Sequence, residues 1–409
     1  MQSILGYAQE LPPIQSFTTD LYKAGNQNWM VTQNTDGVVF FANNEGLLSF
    51  DGSHWRLSPS PNASILRSVH AIKDIIYSGA YMDFGYWKPL KNGILSYVSL
   101  AEKLGFQMLE DEQIWNINQY KQFVIFQSLN RLIIYNQLTN TLRSLTPIEN
   151  ISKSFFVGED VYIQTVSNTI YKVSNDQLIE VLSANRIRNN AIIHMLEYKD
   201  GVLLLTAKNG FLNWESNTVT TWRSSSQELF KQSLAYSATK ISDQYIAVGT
   251  VTDGLIIIDA SGSLVFSYQR ENGLNNNTVL STFVDMDNNL WVGLDNGISY
   301  INLNSETRFY YDNLDALGSV YTSAYYKDKL YLGTNQGLFC KIINSNEAFK
   351  KINGLEGQVW NLKEIDGTLF CAHNLGVFQV DGVQIKPIYT GSGAWHFMPT
   401  KPDEIMFGS

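Results

Sequence analysis

The strongest constraint on this chain is that it repeats itself. Residues 288–303 read NNLWVGLDNGISYINL, residues 328–342 read DKLYLGTNQGLFCKI and residues 367–381 read GTLFCAHNLGVFQVD. Aligning the chain on Gly293 gives ten equivalent positions, Ala42, Gly79, Gln127, Gln164, Thr206, Gly249, Gly293, Gly333, Ala372 and Gly408, spaced 36 to 48 residues apart. Such a period marks an architecture in which one supersecondary unit cannot bury its hydrophobic face without a neighbour.

Three residues before each anchor stand Val39, Ile76, Val124, Val161, Leu203, Ile246, Leu290, Leu330, Leu369 and Ile405, all aliphatic. Two before stand Phe40, Tyr77, Ile125, Tyr162, Leu204, Ala247, Trp291, Tyr331, Phe370 and Met406, all apolar. A strand with one wet face alternates apolar and polar, so consecutive apolar residues predict a strand covered on both faces. With no sustained 3.6-residue pattern, the period predicts an all-β fold, a β-propeller of four-stranded antiparallel blades of about 40 residues. In each blade the anchor ends the second strand. Gly297, with Gly46, Gly210, Gly254, Gly337 and Gly376 in the matching place, opens the third strand where the turn needs positive φ or close backbone approach. The blades around Gln127 and Gln164 lack this glycine. VLSTFVDMDNN is read as an innermost strand with its turn, and RFYY as the outer strand of the same blade. For Trp291, packing alone is a sufficient role.

PIQSFTTD has the character of an outer strand, placed to close a ring by pairing with a late blade, and NWMVTQNTD is the first innermost strand. At the other end, EIMFGS writes a second strand with no third or fourth after it. Nine complete repeats and a fragment could form one oversized ring or one ring and the start of another; because propellers have 4–8 blades, they are read as about seven blades over residues 12–311 and the first blades of a second, truncated propeller over 312–409.

Composition excludes several functions. The net charge of −9, with Lys and Arg scattered singly, argues against nucleic acid as a partner. No apolar run reaches the ~20 residues needed to span a bilayer, and MQSILGYAQE has neither the basic start nor the apolar length of a signal peptide. The two cysteines, Cys340 and Cys371, rule out a disulfide framework and a Cys-rich metal site. They fall in neighbouring repeats and are read as buried free thiols, with a bridge the alternative. The five histidines show no HxxxH or HxH spacing. No metal site and no cofactor is expected. Carboxylates fall mostly in turns such as DMDNN and EIDG, and no GxSxG or HExxH appears, so the segment is not expected to be an enzyme.

Two groups of residues are candidate ligand contacts. Trp29, Trp115, Trp360 and Trp395 lie 12 or 13 residues before their anchors, at the start of innermost strands near the channel mouth, in the polar contexts GNQNW, DEQIW, EGQVW and GSGAW. Aromatic rings beside amides and carboxylates suit sugars, so an oligosaccharide or other small molecule is the expected partner. The alternative, that these tryptophans wedge blades apart and never meet solvent, stays open. GAYMDFGYWKPLKNG, longer than its equivalents, concentrates Tyr81, Asp83, Phe84, Tyr86 and Trp87; it is read as a functional loop or a structural plug.

The stretches YKAGNQNW, VVFFANNEGLLSFDG, YSGAYMDFGYW, ENGLNNNTVLSTFVDMDNNLWVGLDNGISYINL and GTNQGLFCKI closely resemble the two-component-regulator propeller proteins of Bacteroidetes. The resemblance implies a periplasmic sensor with two tandem propellers, a triple-tyrosine β-sandwich, a membrane helix and a cytoplasmic histidine kinase or helix-turn-helix output. On that reading this segment senses a ligand, meets the membrane only through parts absent here, and leaves room for a homodimer. A cell-surface scaffold for protein secretion is the competing function.

Overall fold

The computed structural model describes residues 10–409 except 91–92, 175–176, 313–315, 344, 346 and 402–403. The described residues form nine four-stranded antiparallel sheets and two two-stranded ones, with only short helical turns between them. All ten anchors fall on the second strand of a sheet, from Val39–Asn43 to Glu404–Gly408. The expected β-propeller is the fold. The chain separates into two compact units, Pro12–Thr307 and Arg308–Ser409 with the N-terminal residues to Leu11.

Pro12–Thr307 holds seven of the four-stranded sheets. Their innermost strands are Asn28–Gln33, Ser68–Ile72, Asn116–Tyr120, Ile151–Val157, Ile192–Tyr198, Ala235–Lys240 and Val279–Val284. Each touches the next, and the last touches the first, which closes a seven-membered ring. An inner strand is a sheet edge, with a row of backbone groups that its own blade leaves unpaired. Side chains bridge the gaps: Thr32 Oγ1 accepts from Ala71 N at 3.0 Å, Ser68 Oγ donates to Ile114 O at 3.1 Å and Ser281 Oγ donates to Asn28 O at 3.1 Å.

Closure is built from distant pieces of chain. Ile14–Phe17 pairs with Ile298–Ile301 and supplies the fourth strand of the blade formed by Val279–Val284 and Leu290–Leu294. RFYY therefore does not serve that blade as expected; Phe309–Tyr310 pairs with Glu10–Leu11 in the other unit. The outer position goes to the strand that locks the ring, and no local signal near Ile301 distinguishes the two.

The two glycines of the repeat have different physical reasons. Gly293 is where the next innermost strand comes closest: a methyl group there would sit 2.3 Å from Ser281 Oγ and 2.5 Å from Asn28 O. Gly297 has φ +103 and turns the chain into the third strand, with Phe17 O of the closing strand 3.0 Å from where a Cβ would lie. The strand Leu290–Leu294, which contains Gly293, is buried throughout. Trp291 sits in the seam between the last blade and the first, packed on Phe17 and Phe41, with Nε1 donating to Asp285 Oδ2 at 3.1 Å. Burial of a ring this size is worth an upper bound of about 4–6 kcal/mol, which accounts for it by packing.

The second unit contains two four-stranded sheets, opening with Val320–Tyr326 and Val359–Ile365, the hairpin His396–Lys401 with Glu404–Gly408, and the pair Glu10–Leu11 with Phe309–Tyr310. Lys341 Nζ, on the strand Gly337–Ile342, reaches Glu10 Oε1 of that pair at 2.7 Å. Cys340 and Cys371 are free and buried. The apolar rule weakens at the final hairpin, where Ile405 is half-buried and Met406 is 57% exposed. A strand keeps both faces dry only where sheets flank it.

Candidate functional site: the channel of the seven-bladed unit

One position of the repeat is aimed at the channel. In five innermost strands the pairing slips by a residue, at Trp29, Ser152, Ile193, Tyr236 and Leu280. In the other two the same irregularity stands just before the strand, where Arg67 N donates to Gly79 O at 3.0 Å and Trp115 N to Gln127 O at 2.8 Å. A β-bulge leaves its residue unpaired and redirects the side chain. Here all seven bulge residues line one cavity of about 710 Å³ within the ring. That volume falls in the range of ~300–1,000 Å³ typical of small-molecule sites.

The three consecutive positions Trp29, Arg67 and Trp115 form a stack. The Arg67 guanidinium carbon lies 4.0 Å from the Trp29 ring and 5.2 Å from the Trp115 ring. Trp29 is fixed in turn: its Nε1 donates to Asn44 Oδ1 at 2.8 Å, Asn44 Nδ2 to Gln27 Oε1 at 3.0 Å, and Gln27 Nε2 to Asp295 Oδ1 at 2.6 Å. The sequence reading placed Trp29 and Trp115 at the channel mouth, and both line the channel. It did not find Arg67 between them, although Arg67 precedes Gly79 by the same 12 residues that separate Trp115 from Gln127.

The lining includes apolar Met30, Val69, Ile117, Phe155, Met195 and Phe283, polar Asn116, Asn118, Ser237 and Thr282, and the basic side chains Arg67, His70, Lys153 and His194. Among the described residues no carboxylate lines it, although the chain is acidic overall. Lys153 Nζ donates to Ile193 O at 2.8 Å, and burial pushes its pKa down to about 8. Burial lowers His70 to about 4; burial first, then the charge of Lys153, lower His194 to about 3. Both imidazoles are therefore neutral at neutral pH. Burial also lowers Arg67. Arg67 Nε, Ser237 Oγ and Thr282 Oγ1 are buried without hydrogen-bond partners.

In the second unit Tyr321 and Trp360 hold the bulge positions of their strands, and Trp395 N donates to Gly408 O at 2.9 Å in the equivalent place. Their rings form a ladder: Tyr321 to Trp360 at 5.1 Å and 9°, Trp360 to Trp395 at 4.8 Å and 43°. Trp395 is 54% exposed.

The remaining candidates lie elsewhere. Phe84–Pro89 is the third strand of the second blade rather than a loop. Phe84 is buried against Phe126 at 4.7 Å, and Trp87 is buried with Nε1 donating to Ser78 Oγ at 2.8 Å. Asp83 ties the blade together, accepting from Phe84 N at 2.8 Å, Ser99 Oγ at 2.7 Å and Tyr97 OH at 3.0 Å. Tyr86 is half-buried beside Tyr77, and Tyr81 is partly exposed with its hydroxyl donating to Asp111. None of the five lines the channel. Among the described residues no cluster of His, Cys, Asp and Glu could hold a metal ion, and no helix is long and apolar enough to cross a membrane.

No curated protein matches the chain in sequence. Among solved structures it is similar to the extracellular domain assigned to the hybrid two component system BT3049 of B. thetaiotaomicron, with TM-score 0.72 and 16% identity over 97% of this chain and 58% of that one. A second, assigned to the one component system BT4673 of the same organism, gives 0.58 and 15% over 99% and 58%. The WD40 propeller domain of Doa1 gives 0.57 and 12% over 73% of this chain and 98% of that domain. The chain thus spans less than three fifths of the two Bacteroides domains, and at these identities the likeness is one of fold. In sequence, residues 273–296, which run through the anchor Gly293, match the family model of the two component regulator propeller.

Proposed function

We propose that the chain is the ligand-sensing, extracytoplasmic part of a transmembrane signalling protein, and that the channel of Pro12–Thr307 is where the ligand sits. The repeat family and the extracellular domains that share the fold support the setting. One observation carries the choice of site: every blade contributes its bulge residue to the wall of a single cavity of about 710 Å³, in which buried polar atoms stand without partners. A merely structural ring would not leave them so, because an unsatisfied buried polar group costs about 1–3 kcal/mol. The module transforms nothing. It signals because the bound and free states differ in free energy, which parts beyond this segment read out. The sheets of Arg308–Ser409 are the opening blades of a second propeller, and their Tyr321–Trp360–Trp395 ladder offers flat apolar faces suited to a glycan fragment.

Ser152→Trp tests the site. Ser152 is exposed in a bulge equivalent to those of Trp29 and Trp115, so its blade has the geometry for an indole there, which would fill the cavity. A thermal-shift and tryptophan-fluorescence screen of oligosaccharide fragments and small metabolites should give saturable responses in the wild type that Ser152→Trp removes. Responses indifferent to that substitution would refute the channel as the site.

A further inference from the structure

The channel has an electrostatic character that the fold does not require. The chain carries −9, yet the channel walls hold an arginine, a lysine and two histidines and, among the described residues, no Asp or Glu. Asp295, whose charge raises the pKa of Tyr236 after burial does, lies outside the lining and accepts from Gln27 Nε2. Arg67 and Lys153 therefore face the cavity without a counter-charge. Paired buried charges are ordinary; uncompensated ones call for a missing anion.

The stack indicates what kind of anion. The guanidinium carbon lies over the Trp29 ring at 4.0 Å and over the Trp115 ring at 5.2 Å, and a guanidinium stacked on aromatics binds through its in-plane N–H groups. Of these, Nε is buried without an acceptor. A guanidinium held this way presents a flat fork that matches a planar carboxylate with two parallel hydrogen bonds. Behind it the channel is largely apolar, lined by Met30, Val69, Ile117, Phe155, Met195 and Phe283. The complementary molecule has an anionic end and a compact, weakly polar body.

We propose that the channel of Pro12–Thr307 binds a small organic carboxylate, its carboxylate held by the in-plane N–H groups of Arg67 between Trp29 and Trp115, with Lys153 as the second cation. This rests on the channel being the ligand site and adds the chemical class of the ligand. It also explains why two aromatics flank that one position: they orient the guanidinium and exclude water from the pair it forms, and Ser237 and Thr282 remain for polar groups on the body.

The test uses the full chain and matched probes: benzoate against benzamide, and glucuronate against glucose, followed by tryptophan fluorescence and thermal shift. At least one carboxylate should bind saturably, with its neutral partner at least about tenfold weaker. Arg67→Gln should cost that carboxylate at least about tenfold in affinity without lowering the midpoint of the unliganded protein beyond a few degrees, and Lys153→Met should weaken it to a lesser extent. Equal binding of charged and neutral partners, or an Arg67→Gln variant that keeps full affinity, overturns the inference; so does silence from all four probes. A neutral saccharide that Ser152→Trp blocks and Arg67→Gln does not would leave the channel as the sensor site while overturning its preference for a carboxylate.

Discussion

Replacing Lys153 by methionine should make the protein more stable, by an amount that depends on pH in a predictable way. Lys153 is enclosed in the channel wall with Ile193 O as its hydrogen-bond acceptor at 2.8 Å, and burial lowers its pKa from 10.5 to about 8. A lysine depressed on folding holds fewer protons in the folded than in the unfolded state between those two values, so its penalty is full below about 8 and vanishes as the pH rises through 10.5. At ~1.4 kcal/mol per pH unit the penalty at neutral pH is about 3 kcal/mol, an upper bound because the side chain is only half-buried and lines the cavity. Methionine keeps most of the volume, removes the charge and leaves Ile193 O without its donor, a loss of about 1 kcal/mol. The net gain at pH 7 is therefore about 2 kcal/mol, which in a unit of this size is a rise of several degrees in the unfolding midpoint. Calorimetry of both proteins at pH 7 and pH 10, at one ionic strength, reads the difference directly, and titrations common to the two proteins cancel. A variant less stable than wild type at pH 7, or a gain that is unchanged at pH 10, would refute an uncompensated ammonium in the channel.

Other consequences are as specific. His70 and His194 are held neutral with pKa values near 4 and 3, so the stability they contribute is complete above about 6.5 and is lost as the pH falls below it; His194→Phe should flatten that part of a pH–stability curve, and an unchanged acid limb would contradict its burial. Gly293→Ala forces a methyl to within 2.3 Å of Ser281 Oγ at the closing seam and should destabilise by about 2–3 kcal/mol in denaturant titration, where an ordinary strand Gly→Ala would not. Glu112→Gln breaks a buried bidentate pair with Arg131, at 2.7 and 3.0 Å, and should cost about 3–5 kcal/mol. Deleting residues up to Thr18 removes the strand that pairs with Ile298–Ile301, and should abolish cooperative unfolding of the seven-bladed unit; a sharp transition retained without it would show that closure does not hold the ring.

The fold was legible because packing against two neighbouring sheets leaves a mark that survives in a single sequence. Each blade needs two adjacent apolar residues and a small or polar anchor, and Leu290, Trp291 and Gly293 announce that arrangement as clearly as Val39, Phe40 and Ala42. Pairing over long range was legible in part: PIQSFTTD has the character of the ring-closing outer strand, and Ile14–Phe17 does close the ring, whereas nothing local showed that RFYY would leave the same blade. Ile14–Phe17 and Phe309–Tyr310 are both short and half apolar, and which of them completes the last blade is decided by ring closure, a property of the whole unit. The same limit affected FGYW: its aromatic density fitted a contact loop and a structural plug alike, and Phe84 and Trp87 pack in the seams to the neighbouring blades while Asp83 ties Ser99 and Tyr97 together. At the channel the column 12 or 13 residues before each anchor was read for its aromatics alone. Read for chemistry, it also contains Arg67, and that signal was present in the sequence.

The two columns of the repeat answer to different pressures, and this separates stability from recognition within one blade. The anchor column faces the neighbouring blade: at Gly293 an added methyl would lie 2.5 Å from the backbone oxygen of Asn28, and at Gly79, Gly249 and Gly333 it would meet side chains of the adjoining strands. The bulge column belongs to no ladder and faces the cavity, so tryptophan, arginine, serine, isoleucine, tyrosine and leucine all occur there without disturbing the strand behind them. Substitution in the first column bears on whether the ring forms; substitution in the second, on the proposed role of the channel, changes what the ring holds. A cation without a counter-charge, as at Arg67 and Lys153, lowers stability and does nothing for closure. Arg67 stands in the column that closure leaves free, and Lys153 follows the bulge at Ser152; on the proposal made above, a carboxylate ligand supplies the charge that both lack.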